Sequence, residues 1–436
     1  MSNASAHSTE KPSIMSFDKS TLIVWVAISL IVTETLAGAL RFYFDKAGIS
    51  ALLYLPKVGC LVLFAVELLT IKASRTVWVG FLLLLISAAL AMLHGASPSN
   101  VAFSLFVFSP MFFGLVCSDH LLYRKRLLCW VIGLCLMLSI IGLLLDKYIA
   151  VPWKGYSYTV GNTELVGNTA WADDENDRIA GFTRVSNVLS ILIAIYTLYL
   201  LMFIRSKVLF CALCVVGFYS IVLTTSKAPA AAFAITLALL TLTRLRWTSA
   251  ITFAGVVVIG MALPIISLLH DFDANSITSG DPSLASLYDR LVNTWPHLVT
   301  YMHNQSWSLT GAGFGMFGSA QVLFPVPGAG LLSGSDSSAM YLWCSFGVIG
   351  IALYLLQIPL LFLLRDRTSH MDLALLSISV CICLISWTTD MFEVAISNLF
   401  MGLSIGHVIC SSTNTIAATN PTQDVGQLSG LSERQE

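Results

Sequence analysis

Charge is scarce in this chain. Only 11% of its 436 residues are Asp, Glu, Lys or Arg, against 56% hydrophobic. A water-soluble protein of ordinary domain size cannot bury that much apolar surface, so composition alone implies a polytopic membrane protein. A basic excess is also missing: the net charge is −1, which gives no sign of a nucleic-acid partner. Nor is there a disulfide framework. Ten cysteines are present, but all lie in or at the ends of apolar runs, and the two longest hydrophilic segments hold none. Cys211-x-x-Cys214 and Cys381-x-Cys383 therefore read as small apolar core residues before metal or redox pairs. The acidic run Asp173-Asp174-Glu175-Asn176-Asp177 lacks the spacing of a calcium loop and reads as a solvated stretch.

What is present is a series of apolar runs, each near the ~17–25 residues that cross about 30 Å of hydrocarbon. They fall at 22–42, 50–71, 77–95, 101–118, 127–147, 184–204, 208–225, 228–243, 249–269, 339–364, 372–390 and 393–411. The expected fold is an all-α polytopic membrane protein with about twelve transmembrane helices. Lys227 and Pro229 mark the only break within 208–243. Ala37-Gly38-Ala39 resembles a signal-peptidase site, but the long polar lead and the span that follows favour a retained anchor. Residues 1–21 read as a disordered cytoplasmic segment and 412–436 as a polar cytoplasmic tail.

Basic residues set the expected orientation. Lys72, Arg75, Arg124-Lys125-Arg126, Arg205, Lys207, Arg244, Arg246, Arg365 and Arg367 occupy alternate short turns, the bias of cytoplasmic connections. Both termini are then cytoplasmic, and the segments 148–183 and 270–338 lie outside. The cations left on the outer side are more informative, because that bias acts against them. Lys57 and Glu34 sit inside apolar runs and are expected to pair. Glu67 reads as a snorkelling or packing residue. Arg178 and Arg184 stand six residues apart at the mouth of a helix, where guanidinium forks can grip an anion or anchor at lipid headgroups. The turn Thr224-Thr225-Ser226-Lys227-Ala228-Pro229 keeps a cation among hydroxyls beside a helix start, an anion contact or an ordinary snorkelling lysine.

The order of these features resembles the O-antigen ligase/polymerase superfamily. Arg178-x-x-Gly181 leads into Asn187 and a span. A Thr-x-Ser-basic turn (Thr224 to Lys227) follows, then Arg290 and Trp295 early in a large outside loop, Gly311-x-Gly313-x-Gly315, and a polar site at Asp336, eleven residues before Gly347-x-x-Gly350. The resemblance covers about 178–355. It implies a GT-C-like bundle with a large periplasmic loop at 270–338, in a bacterial inner membrane. It also implies a metal-independent glycosyltransferase, without cofactor, whose donor is a glycan linked through diphosphate to undecaprenol. On that resemblance Arg178, Lys227 and Arg290 contact the diphosphate, with Arg184 nearby. There are two departures from the ligase pattern: Lys227 for an arginine, which keeps the charge but loses the bidentate fork, and Asp336-Ser337 for His-Asn, which points to the polymerase branch. Polymerases elongate another lipid-linked repeat unit, with a chain-length regulator as the further partner the resemblance implies, whereas ligases transfer to lipid A-core. A flippase or transporter of lipid-linked sugar is the alternative from another class.

The chemistry implied is attack of an acceptor hydroxyl on an anomeric carbon as lipid diphosphate leaves. Fixed cations stabilise the departing charge, and a base must reach the hydroxyl. Asp336 is preferred for that base over His303, while His297 and His270 have less to recommend them. The glycines at 311, 313 and 315 are expected to permit a tight turn or close backbone approach, and the loop to act as a lid over a basic cavity.

Overall fold

In hydrocarbon, backbone N–H and C=O groups must find partners within their own segment, so long apolar runs become helices. The computed structural model describes residues 19–70, 75–160, 163–169, 178–242, 246–270, 272, 284–366 and 369–419. The chain is nearly all α-helical. In order come α1 (Lys19–Thr35), α2 (Ala37–Lys46), α3 (Leu55–Thr70), α4 (Arg75–Leu93), α5 (Pro98–Val116), α6 (Ser118–Tyr123) and α7 (Lys125–Tyr148). A two-stranded hairpin follows, β1 (Ser157–Val160) and β2 (Thr163–Val166), antiparallel with Tyr158 opposite Leu165. Then come α8 (Ser186–Leu201), α9 (Lys207–Leu223), α10 (Lys227–Leu242), α11 (Arg246–Leu269), α12 (Ala285–Asp289) and α13 (Trp295–Asn304). The last are α14 (Ser319–Leu323), α15 (Ser338–Phe346), α16 (Val348–Leu355), α17 (Gln357–Arg365), α18 (His370–Ile385) and α19 (Ala395–Thr419). The acidic run at 173–177 and the greater part of both terminal segments lie outside the described residues.

Every expected apolar run coincides with helix, but not every run is one straight helix. Five described segments are long and apolar enough to cross a membrane: Ser50–Leu69, Pro98–Val116, Lys125–Tyr148, Ala250–Leu269 and Val348–Arg365. The α1–α2 pair makes a sixth if counted as one, though it bends by 88° at Leu36. Six further apolar helices, such as Ser186–Leu201 and His370–Ile385, are shorter. The run at 339–364 divides at Gly347, whose φ of +60° is a conformation glycine adopts without strain. Beyond it the chain turns back. Gly350 packs so closely on the Leu342 carbonyl that a Cβ there would collide with it, whereas residues eight apart along one helix are separated by about 12 Å.

Two short helices are buried along nearly their whole length. All residues of α8 from Leu189 to Leu201 except Leu200, and nearly all of α18, are shielded from solvent, as expected of helices that are apolar all round and sit inside a bundle. The peripheral helices instead expose large apolar side chains, including Leu69, Leu93, Trp130, Val208 and Leu269, each at least 80% exposed. That belt fits a hydrocarbon surround.

α5 and α19 pack in parallel. Asn398 donates to the Val107 carbonyl at 3.3 Å, Gly402 lies against Met111 and Gly406 against Leu115, so both helices advance together. Gly402 and Gly406 form a G-x-x-x-G face that lets the backbones approach. Pro110 sits inside α5 and removes the N–H that would pair with Phe106, and the Ser109 hydroxyl takes its place at 2.8 Å. Lys57 and Glu34 form the expected ion pair at 2.9 Å, each about one-fifth exposed. Glu67 is buried and pairs with Lys19 at 2.5 Å.

Candidate functional site

Polar side chains gather at the end of the bundle where α5 and α19 begin. The organising group is Asp390, in the turn between α18 and α19. Its carboxylate accepts from the backbone N–H of Ser335 (3.0 Å), Asp336 (3.1 Å) and Ser337 (3.0 Å), and from the Ser335 hydroxyl (2.6 Å). Three successive amides wrapped round one carboxylate require an unusual backbone, and Asp336 takes φ +51°, a left-handed value uncommon outside glycine. The helix α15 starts directly from this turn. Its Ser338 donates from backbone to Ser386 at 3.0 Å and from side chain to Thr389 at 2.9 Å, and its hydroxyl accepts from Met391 N–H at 2.9 Å.

Asp390 keeps a narrow exposed edge, yet the packing around it is dense. Loss of hydration pushes its pKa up to about 6, against the lowering effect of the Ser335 hydroxyl and amide, and with the carboxylates of Asp336 and Glu393 adding to the rise. Glu393, one short turn further on, accepts from Tyr341 Oη at 3.0 Å, from Ser319 N–H at 3.2 Å and from the Ser319 hydroxyl. The two acids thus tie the 386–393 turn to both ends of the segment 319–341.

The strained turn presents Asp336. Its carboxylate is more than half exposed and accepts from Arg290 Nε at 3.1 Å, while the Arg290 side chain is about one-fifth exposed. Arg290 opens a single π-helical turn, Arg290–Thr294, placed between α12 and α13. The next residue fixes its height. Trp295 is fully buried and its indole N–H donates to the Ser335 carbonyl at 2.9 Å. Only Nε of Arg290 is engaged among the described residues, which leaves its Nη groups for a ligand. Ser337 Oγ is buried with no hydrogen-bond partner among the described residues.

Arg290 and Asp336, expected from sequence, are therefore brought together. His303 is not with them. It is exposed on the last turn of α13, eight residues or about 12 Å along the helix from Trp295. Arg178 and Lys227 are both exposed, the first leading the segment into α8 and the second beginning α10. Arg184 is exposed and donates to the Val166 carbonyl at 3.1 Å, so it braces the hairpin. The segment 178–187 is held rigidly. Asp146, at the end of α7, accepts from the amides of Ala180 (3.0 Å) and Gly181 (2.8 Å) and pairs with Lys154 (3.3 Å). Asn168 donates to the carbonyls of Gly181 and Thr183, and Trp153 also donates to Gly181. Asn187 then reaches Thr389, beside Asp390, at 3.5 Å. This joins the Arg178 segment to the turn beneath Asp336.

The glycine run packs into the helix bundle. Gly311 to Gly318 is buried, with Gly313 against Ala91 of α4 and Gly315 against Val101 of α5, and the amides of Ala312 and Gly313 donate to Cys344 and Ser345. The expected close backbone approach holds, and these residues are part of the helix packing.

Sequence reasoning missed Asp390, Glu393 and Asp146. Asp390 was counted as the end of an apolar run. The available signal was two acids three residues apart in the short Trp387–Val394 connection between strongly apolar stretches, an expensive placement unless partnered. Compared with known proteins, the chain matches no family model and no curated sequence, so the meaning of this site rests on its geometry.

Proposed function

We propose that the chain is a glycan polymerase of a bacterial inner membrane, transferring an undecaprenyl-diphosphate-linked glycan onto another lipid-linked repeat unit. The observation that carries this reading is the Arg290–Asp336 pair, a partly engaged guanidinium 3.1 Å from an exposed carboxylate on a turn pinned by Asp390. Arg290 offers its unused Nη donors to the diphosphate as charge builds on the leaving group, and Asp336 accepts the proton of the attacking hydroxyl. Arg178 and Lys227 supply further positive charge, and Arg184 braces the hairpin.

This reading places twelve crossings in the membrane, the short helices being buried ones or ones completed by their flanking turns, with both termini cytoplasmic. The parallel packing of α5 and α19 supports that parity, because the fourth and twelfth crossings then run in the same direction. The site faces the periplasm.

The test is elongation by purified protein given lipid-linked repeat units. Arg290→Ala and Arg178→Ala should remove long products, with the protein still folded in the membrane. Normal product ladders from both variants reject the reading. Transfer to lipid A-core in place of elongation identifies a ligase, and transport without elongation a flippase.

A further inference from the structure

The bend after α1 turns the chain along the membrane surface. α2 leaves α1 at 88°, so it runs near the bilayer plane when α1 crosses it. Ala39 and Phe42 bury one side of α2 against Trp153. Tyr43, Ile49, Leu52 and Leu55 stay exposed, a mixture of aromatic and apolar groups suited to headgroup depth. On the orientation proposed above, this is the outer leaflet.

Within this layer Arg41 is only 8% exposed. Its guanidinium lies 4.4 Å from the Tyr158 ring centre and 4.9 Å from that of Tyr54, and a Cβ at Gly167 would touch its stem at 3.4 Å. The hairpin and the turn Ser50–Tyr54 therefore hold it from two sides. Aromatic faces attract the cation, but no oxygen among the described residues accepts from its N–H groups. A buried guanidinium fixed in this way calls for an oxyanion, which its planar fork fits.

Asp45, one turn further along α2, restricts which oxyanion that is. The two side chains form no ion pair, although helix positions four apart lie ~5–6 Å from each other at Cβ. Asp45 accepts instead from Tyr156 Oη and from Ser50 Oγ, the latter at 2.8 Å. It remains exposed, and a carboxylate has about four acceptor positions, so capacity is left. Lys46 is turned over the Phe42 ring at 4.1 Å. One held cation beside one held carboxylate repels a polyanion such as a diphosphate and complements a zwitterion, with phosphate at Arg41 and ammonium at Asp45.

We infer that Arg41 and Asp45 form a receptor for the phosphoethanolamine head of an outer-leaflet phospholipid. Bound there, the lipid supplies the acceptor that Arg41 lacks and fastens the hairpin and α2 to the bilayer surface. Gly38 and Ala39 of α2 donate to the Phe182 carbonyl, so the lipid also steadies the Arg178–Asn187 segment. The inference rests on the membrane orientation and not on the polymerase reading.

The test uses the full chain in phosphatidylcholine nanodiscs, whose trimethylammonium head has no N–H to give Asp45, with a trace of photoreactive phosphatidylethanolamine. Labelling is expected on residues 41–54 and 156–158. Added phosphatidylethanolamine should compete about tenfold better than phosphatidylglycerol, the ratio that one charge-assisted hydrogen bond supplies. Asp45→Asn, which keeps an acceptor for Tyr156 and Ser50, should abolish that preference, and Arg41→Met should lose the labelling. Equal competition by the two lipids in the wild type, or labelling unchanged in both folded variants, overturns the inference. Displacement by soluble glycerophosphoethanolamine as effective as by the lipid overturns the phospholipid assignment, since the group is then read free of the membrane. Elongation measured on the same samples is independent: its absence rejects the polymerase and leaves the headgroup site standing.

Discussion

Replacing Asp390 with alanine should release the turn that presents Asp336, by an amount the geometry sets. Two backbone amides, those of Ser335 and Asp336, lose their acceptor; the Ser337 amide keeps the Ser335 hydroxyl oxygen at 3.4 Å, and that hydroxyl keeps the Ser337 carbonyl at 2.8 Å. An orphaned buried donor costs ~1–3 kcal/mol, so two cost about 2–6 kcal/mol. Against this stands the burial cost of the carboxylate itself. Its rise from 3.8 to about 6 corresponds to about 3 kcal/mol that the variant recovers. The net loss is about 1 kcal/mol, or about fivefold in the opening equilibrium. Amide hydrogen exchange in nanodiscs measures this directly. Residues 335 and 336 should exchange about fivefold faster while α8 keeps its protection, and Asp390→Asn, which retains one acceptor oxygen, should fall between. Unchanged exchange at 335 and 336 in the alanine variant refutes the anchoring role, and equal acceleration in α8 shows global unfolding instead.

Three other outcomes are expected. Asp390 holds its proton more tightly in the folded chain, at about 6, than at the unfolded value of 3.8. Its contribution to stability is therefore fully present below pH 3.8 and is lost, by about 3 kcal/mol, as pH rises through about 6; thermal unfolding from pH 4 to 7 should show this fall in the wild type and a flatter curve in Asp390→Asn, and parallel curves reject it. Lys57→Met strands the half-buried Glu34 carboxylate and should cost about 3 kcal/mol, most of it regained in the Glu34→Gln/Lys57→Met double variant; strictly additive losses in a double-mutant cycle contradict the pair. Gly402→Leu drives a side chain into the Met111 backbone and should part α5 from α19, with loss of folded protein on size-exclusion chromatography, whereas Gly133→Leu, whose Cβ meets nothing within 4 Å, should be neutral or stabilise by up to about 1 kcal/mol. Equal behaviour of the two glycine variants refutes the close α5–α19 contact.

The helices were legible because their cause is local. A run of apolar residues in hydrocarbon has few alternatives to helix, and the runs at 101–118 and 127–147 became α5 and α7 with only small boundary changes. The breaks were less legible. Leu36 bends the first run by 88° because Gly38 and Ala39 donate to the Phe182 carbonyl, a partner that lies more than 140 positions away in sequence. Gly347 was visible as a glycine, but its role depends on Leu342 packing against Gly350.

The same division holds at the site. Arg290 stood out as a cation kept on the outer side against the positive-inside bias, and Asp336 by its place in the resemblance, eleven residues before Gly347. Lys57 and Glu34 stood out as charges inside apolar runs, retained at a cost, and their pairing followed from it. Sequence by itself thus determined the membrane class, the helical runs and the short set of charges worth explaining. Tertiary structure alone decided that Asp390 wraps the Ser335–Ser337 amides, that the glycine run lies inside the packing, and that His303 stands away from Arg290. Those outcomes depend on hydrogen bonds and close contacts between segments distant in the chain, and neither composition nor periodicity carries the register of one helix against another.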